Sequence, residues 1–139
     1  MGILKKEKDV IVRITTRTDG EQFVTEARGE YARDGEIHYV AFTEYGGNAI
    51  TRSGLHAAKD KLFLHRTGAV NSDMLFDPEA DTRAEYENGG MKTAFVVHTR
   101  RYSIDVQPGK ISIALEYSLY EGTDLFAAPF SLDIEIIDA

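Results

Sequence analysis

Strict alternation of apolar and polar residues is the feature of this chain that most limits its fold. In the segment KISIALEYSLY, residues 110–120, every second side chain is apolar. The inward set of this segment is Ile111, Ile113, Leu115, Tyr117 and Leu119. The segment FSLDIEII, residues 130–137, repeats the pattern. Because side chains of a β-strand point alternately to its two faces, each segment predicts a strand with one buried face.

Turn signals separate the alternating segments. They are the pairs Asp19-Gly20, Asp34-Gly35, Asn88-Gly89, Pro108-Gly109 and Glu121-Gly122. Asp-Gly and Asn-Gly supply the positive φ angles of tight hairpin turns, so the flanking strands are predicted to be antiparallel neighbours. The predicted strands are 9–18, 22–33, 36–45, 48–53, 58–67, 72–77, 82–88, 91–100, 102–107, 110–120 and 128–137, of which some are expected to merge or to be irregular.

A sheet built from consecutive hairpins has an exposed edge at its first and last strand, and closing the sheet into a barrel removes both edges. A sandwich is the alternative, but its Greek-key topology needs a long return connection, and the predicted hairpins follow one another without one. We therefore predict an all-β fold, a closed antiparallel up-and-down barrel. Gly29 lies inside the second predicted strand, where it marks either a bulge or a close approach of two backbones.

Composition limits the class of protein. With 139 residues and 42% hydrophobic content, the chain fits a single domain, 1–139, with residues 1–8 as a frayed leader that carries Lys5, Lys6 and Lys8. The net charge of −7 argues against binding to nucleic acid or to an anionic membrane. The absence of cysteine excludes disulfides, thiolate metal sites and cysteine nucleophiles. No apolar stretch reaches the length of a signal peptide or a membrane span, so a cytoplasmic location is predicted.

Four short stretches resemble one bacterial family. They are FTE at 42–44, LFLHRTG at 62–68 with MLF at 74–76, TRAEYENGG at 82–90, and LEYSLY at 115–120. With the strands between them, they make the chain similar to the YwiB-like family of unknown function. This resemblance implies a calycin barrel of about eight strands, related in shape to lipocalins, in the bacterial cytoplasm. It brings no assigned activity and therefore no catalytic residues. The lipocalin Gly-x-Trp signature is absent, since the chain has no tryptophan.

One charged residue stands where the alternation calls for an apolar one. Arg66 follows Leu62 and Leu64 on the inward face of a predicted strand. A buried charge needs a partner. Glu44 ends another inward row in the same way, so the two side chains are predicted to pair, or else Arg66 is hydrated at the barrel mouth.

Two tyrosines are predicted to join this end of the barrel. The alternation of inward and outward side chains places Tyr86 and Tyr117 on the inward faces of their strands. A guanidinium with tyrosine hydroxyls suits a carboxylate or another small anion, because its fork matches a planar carboxylate. The set Arg66, Glu44, Tyr86 and Tyr117 is therefore the candidate ligand site. The structural alternative is an ion-pair network that only closes the barrel end and fixes strand register.

Motifs for metal binding and for catalysis are missing from the sequence. Of the four histidines, His65 and His98 fall on outward faces by parity, and all four are expected on the surface. The acidic run DPEAD at 77–81 lacks the spacing of a calcium loop. No serine-based catalytic motif and no phosphate loop occurs. We therefore predict no metal, no cofactor and no assigned catalytic residue.

Three functional hypotheses remain open at this point. The leading one is a non-enzymatic barrel that binds a small ligand, anionic if Arg66 takes part, or a protein partner. The alternative is a small metal-independent acid/base enzyme acting on a carboxylated or phenolic substrate. The third is association alone, for instance a homodimer formed through outward apolar residues such as Val96 and Phe63.

Overall fold

The computed structural model of the protein describes residues 5–46 and 48–139, and in that part eleven β-strands follow one another along the chain. Their bounds are β1 Lys8–Thr18, β2 Glu21–Asp34, β3 Ile37–Gly46, β4 Ala49–Ala57, β5 Leu62–Gly68, β6 Val70–Phe76, β7 Thr82–Asn88, β8 Met91–Gln107, β9 Lys110–Glu121, β10 Asp124–Leu125 and β11 Phe130–Asp138. No membrane-spanning helix occurs among these described residues. Lys8, the last residue of the predicted leader, is already the first residue of β1, and residues 1–4 of that leader lie outside the described part.

The strands close into a ring. Each strand from β1 to β9 pairs antiparallel with the next, and β11 pairs with both β9 and β1. The two-residue β10 pairs with the end of β9, beyond the last residue that β11 contacts. In the described part of the chain the ring therefore contains ten strands. The predicted closed antiparallel up-and-down barrel is confirmed, but the strand number of about eight is wrong.

The predicted merging of segments takes place at one position. The predicted strands 91–100 and 102–107 form the single strand β8, with a bulge between Thr99 and Arg101. The bulge restores the inward face, since Thr99 and Tyr102 both lie toward the interior while Arg100 and Arg101 lie outside. Both arginines contact Glu116, at 2.9 and 3.7 Å. The other nine predicted segments remain separate strands, so the ring contains ten strands in the described part of the chain.

Two glycine positions explain how the wall turns and bends. Asp19 and Gly20, between β1 and β2, have φ angles of 50° and 76°, as a primed hairpin turn requires. At Gly29, β2 comes so close to β3 that an added Cβ would lie 2.9 Å from the carbonyl oxygen of Ala41. The register with β1 continues through Gly29, so this position is a close approach and not a bulge.

The core is made of the inward residues of alternate positions, as the sequence predicts. Its buried members on the two segments first recognised are Ile111, Ile113, Leu115, Leu132, Ile134 and Ile136. Val10, Val12, Val40, Leu55, Leu62 and Phe76 complete the interior from the facing strands. The turns after β1, β3, β5 and β7 all lie at one end of the barrel, which we name the Arg66 end.

The wall of the ring is interrupted in two places. β2 pairs with β3 only over residues 29–34, so residues 21–28 pair with β1 alone. β6 and β7 pair only at three positions near the Arg66 end, from Val70 with Asn88 to Ser72 with Tyr86. Below these pairs, residues 73–76 and 82–85 face one another without a ladder. We name this second interruption the β6/β7 gap.

Candidate functional site

Arg66 lies on an inward row that crosses six strands and has a serine on each side of the arginine. Residues directly opposite each other on paired strands share a face, so the register defines the row. Its members, from β3 to β8, are Phe42, Ser53, Arg66, Ser72, Tyr86 and Thr93. Ser53 and Ser72, the two neighbours of Arg66, are buried. Because serines fill little volume, the long arginine side chain has room to extend into the barrel.

The predicted ion pair between Arg66 and Glu44 is wrong. Within residues 5–46 and 48–139, no ion pair joins Arg66 to any carboxylate, and its buried Nε has no hydrogen-bond partner. The strand order explains this, because β4 lies between β3 and β5. With strands about 4.8 Å apart, residues two strands away are separated by about 10 Å. Glu44 instead accepts a long hydrogen bond from Ser53 Oγ, at 3.5 Å.

A cavity of about 530 Å³ opens beside Arg66. Arg66, Tyr86 and Tyr117 supply its charged and phenolic groups, while Glu44 is not part of its wall. The remaining walls are mainly apolar and aromatic: Met74, Ala84, Asn88, Met91, Thr93, Phe95, Leu119, Phe126 and Phe130. The structure thus brings together three of the four predicted site residues. The sequence alone did not reveal Met74, Phe95 or Phe126 as neighbours of Arg66, because their proximity depends on strand register.

Tyr117 is held rigidly at the side of this cavity. Its ring stacks on Phe130 with centroids 5.1 Å apart and is tilted against Phe76 at 4.8 Å. Burial raises the pKa of Tyr117 to about 12, and the nearby Arg66 guanidinium acts in the opposite direction. The phenol is therefore protonated at neutral pH, so its hydroxyl can donate a hydrogen bond to an anion.

Tyr86 belongs to a second aromatic group. Its ring meets Phe95 edge-on at 6.5 Å, and Phe95 meets Phe126 at 4.6 Å. Such edge-to-face contacts fix ring orientations beyond what burial alone does. The cavity therefore has preformed walls around one cationic group.

The histidines divide into two kinds. His65 and His98 are exposed as predicted, with Nδ1 atoms bonded to Asp73 and, at 2.7 Å, to Asp81. The expectation of a surface position is wrong for His38, which is only 6% exposed because it lies on the inward face of β3. Its Nδ1 is bonded to the hydroxyl of Tyr31 at 2.7 Å. In the part of the chain that the structure describes, no three His, Asp or Glu residues are placed to hold a metal ion.

The fold and the cavity define a class, a closed ten-stranded antiparallel barrel with a cationic group at an interior cavity. Residues 9–134 match the family model described as a domain of unknown function, DUF1934. The chain belongs to this family. Among curated proteins, none matches the chain.

A solved structure shares the fold. The crystal structure of the ywiB protein from Bacillus subtilis matches with a TM-score of 0.74 and 20% identity, over 94% of this chain and 90% of that chain. The resemblance to the YwiB-like family that the sequence stretches indicate is therefore confirmed.

Proposed function

We propose that the protein is a non-enzymatic, calycin-like barrel that binds a small organic anion in the cavity beside Arg66. The observation that carries this proposal is the buried Nε of Arg66, which has no partner in the described part of the chain and borders the cavity of about 530 Å³. A buried N–H donor without a hydrogen-bond partner costs free energy. A carboxylate from a ligand would relieve this cost through a bidentate, charge-assisted contact.

The enzyme alternative has less support from the side chains around the cavity. Acid/base catalysis needs a group that accepts a proton near the operating pH. No carboxylate is among the described residues of the cavity wall. Tyr117, with a pKa raised to about 12, holds its proton at neutral pH. These groups suit the recognition of an anion better than proton abstraction.

A protein partner at the Arg66 end is the second candidate. Large apolar side chains are exposed there: Phe23, Val24, Tyr45, Ile50, Met91, Leu125 and Phe126. Such exposed apolar residues favour contact with another surface. A homodimer through Val96 and Phe63 has less support, because β6 and β7 lie between them and Arg83 is the cross-strand neighbour of Val96. The cytoplasmic location stays a prediction.

The test compares Arg66→Met with Arg52→Met, an exposed arginine on the neighbouring strand, as the matched control. The panel consists of small aliphatic and aromatic carboxylates, and the measurements are thermal shift and calorimetry. A charge-assisted contact contributes about 1.5–3 kcal/mol, so Arg66→Met should weaken binding about 10- to 100-fold, while Arg52→Met leaves it unchanged. Equal weakening in both variants, or undiminished binding to Arg66→Met, would contradict the proposal.

The same variant separates binding from folding. Methionine keeps much of the apolar stem of arginine and removes the unsatisfied Nε. Because an unsatisfied buried donor costs about 1–3 kcal/mol, ligand-free Arg66→Met should unfold at the same temperature as the unsubstituted protein or higher. A lower melting temperature would mean that Arg66 serves mainly to stabilise the fold.

A further inference from the structure

The β6/β7 gap passes through the wall of the barrel beside Arg66. Above it, the ladder ends at the pair of Ser72 with Tyr86. Below it, the hydroxyl of Thr82 donates to the carbonyl oxygen of Leu75 and ties the strands together again. Between these two ties, the backbones of residues 73–75 and 83–85 are not paired with each other. Their polar groups in the gap are open to another partner.

Cavities lie on both sides of this gap and share two residues. Inside is the cavity of about 530 Å³, to which β6 and β7 contribute Met74 and Ala84. Outside is a cleft of about 460 Å³, to which the same strands contribute Asp73 and Glu85. Arg66 and Tyr86 line both spaces. Since neighbouring residues of a strand point to opposite faces, the two spaces meet at the unpaired stretch.

At the mouth, the open Arg66 end of the barrel, the ring of Phe126 lies beside the cavity. The ring of Phe126 packs on Phe95 with centroids 4.6 Å apart. The backbone N–H of Phe126 donates to the carbonyl oxygen of Leu119 at 2.9 Å, which anchors this ring over the cavity. A ligand that enters from the mouth has to pass the ring of Phe126, whereas at the gap the strand edges are not paired with each other.

The charges around the gap indicate what can bind there. Inside, one guanidinium stands against apolar and aromatic walls, with the protonated hydroxyl of Tyr117 as a further donor. Outside, the three cations Arg66, Arg83 and Lys92 are balanced by three carboxylates, so the cleft does not favour a highly charged molecule. The combination matches one negative charge attached to an apolar body.

We propose that the β6/β7 gap is the entrance of the cavity and that the ligand is an amphipathic monoanion. Its carboxylate or sulfonate stays in the gap at Arg66, and its apolar body points inward between Met74 and Phe95. This inference rests on the proposed function, because it assumes that Arg66 holds the anion.

The test uses 8-anilinonaphthalene-1-sulfonate, a fluorescent aromatic monoanion, as the probe. The chain has no cysteine, so single cysteines can be introduced without background reaction. Glu85→Cys places a thiol on the outer side of the gap, and Leu125→Cys places one at the mouth, where Leu125 is exposed. Each is coupled to a maleimide carrying a bulky polyethylene glycol chain, and stopped-flow fluorescence measures association before and after coupling.

Coupling at Glu85→Cys should slow association about tenfold or more, while coupling at Leu125→Cys should change it by less than about twofold. If the mouth adduct slows association instead, if both slow it equally, or if neither does, the entrance is not the gap. Binding of the probe to Arg66→Met separates the two proposals. Undiminished affinity there overturns the proposed function, whereas weakened affinity with an inert gap adduct overturns the entrance alone.

Discussion

At the residue scale, the buried ring of His38 links the stability of the barrel to pH. It lies at the end of β3 far from Arg66 and is bonded to the hydroxyl of Tyr31. Burial lowers the pKa of His38 below its ordinary value of 6.5, and the nearby Arg33 cation lowers it further. The unfolded chain therefore binds a proton at higher pH than the folded barrel. The contribution to stability is complete above about pH 6.5 and is lost as the pH falls through the folded pKa.

We expect the free energy of unfolding to decrease as the pH falls below about 6.5, with a contribution from His38. His38→Gln removes the titrating ring but keeps polar atoms beside Tyr31, so it should flatten this decrease. His98→Gln is the control, because His98 is exposed and bonded to Asp81 at the surface. Urea unfolding across this pH range measures the effect. An equally steep decrease in His38→Gln would show that other groups are responsible.

For the candidate site, the alternation of side chains along each strand predicts which residues point inward, but not which of them lie close together. Arg66, Tyr86 and Tyr117 share the cavity because each lies on the inward face of its own strand. The alternation along a strand does not give the lateral distance between strands, which is why the pairing with Glu44 failed. β4 lies between the two strands, and Glu44 is opposite Thr51 of β4 whereas Arg66 is opposite Ser53. His38 was missed because a histidine is compatible with either face of a strand, and only its bond to Tyr31 explains its burial.

At the scale of elements, alternation and turn residues predict most strand bounds, whereas Gly29 predicts either a bulge or a close approach, and the structure shows the close approach. The space for a Cβ at Gly29 is occupied by the carbonyl oxygen of Ala41, at 2.9 Å, and by Val12 Cγ2, at 3.3 Å. The end of β4 was predicted at residue 53, whereas it lies at Ala57. Its alternation continues through Leu55 and Ala57, but Gly54 and the small alanines weaken the pattern in the sequence.

Gly29→Ala should destabilise the barrel by about 1–3 kcal/mol, because the added methyl group forces the backbones of β2 and β3 apart. Gly54→Ala is the matched control in another strand. The nearest atom to its added Cβ is His56 Nε2 at 4.0 Å, so stability should change by less than about 0.5 kcal/mol. Thermal and urea unfolding of both variants measure the difference. Equal losses would mean that glycine is needed at both sites for reasons other than space.

At the scale of the whole molecule, the number of strands in the ring depends on contacts between distant parts of the chain. Closure joins the two ends, with Val10 opposite Asp138 and Val12 opposite Ile136. Local alternation predicts each of these strands but not which partner it takes. A ring of ten strands is wider than one of eight, and wider barrels leave interior space that side chains do not fill. The cavity beside Arg66 thus follows from a property that the sequence pattern could not supply.

The two interruptions of the wall divide the ring into parts of unequal stability. β9, β11 and β1 form uninterrupted ladders around the buried residues Ile113, Ile134 and Val12, whereas residues 21–28 and the β6/β7 gap each have a strand edge without a partner. Unpaired amides exchange through local opening, which costs far less free energy than global unfolding.

Hydrogen exchange followed by NMR should therefore show a graded pattern around the barrel. Amides of β1, β9 and β11 that face a paired strand should exchange only on global unfolding, about 5 kcal/mol or more above the native state. Amides that point into the β6/β7 gap should exchange at least about 100-fold faster, because no hydrogen bond has to open. Within residues 83–85, alternate amides bond to β8 and serve as internal controls that should be slow. Uniform protection of both sets would mean that the wall is continuous in solution, and the entrance beside Arg66 would then have no physical basis.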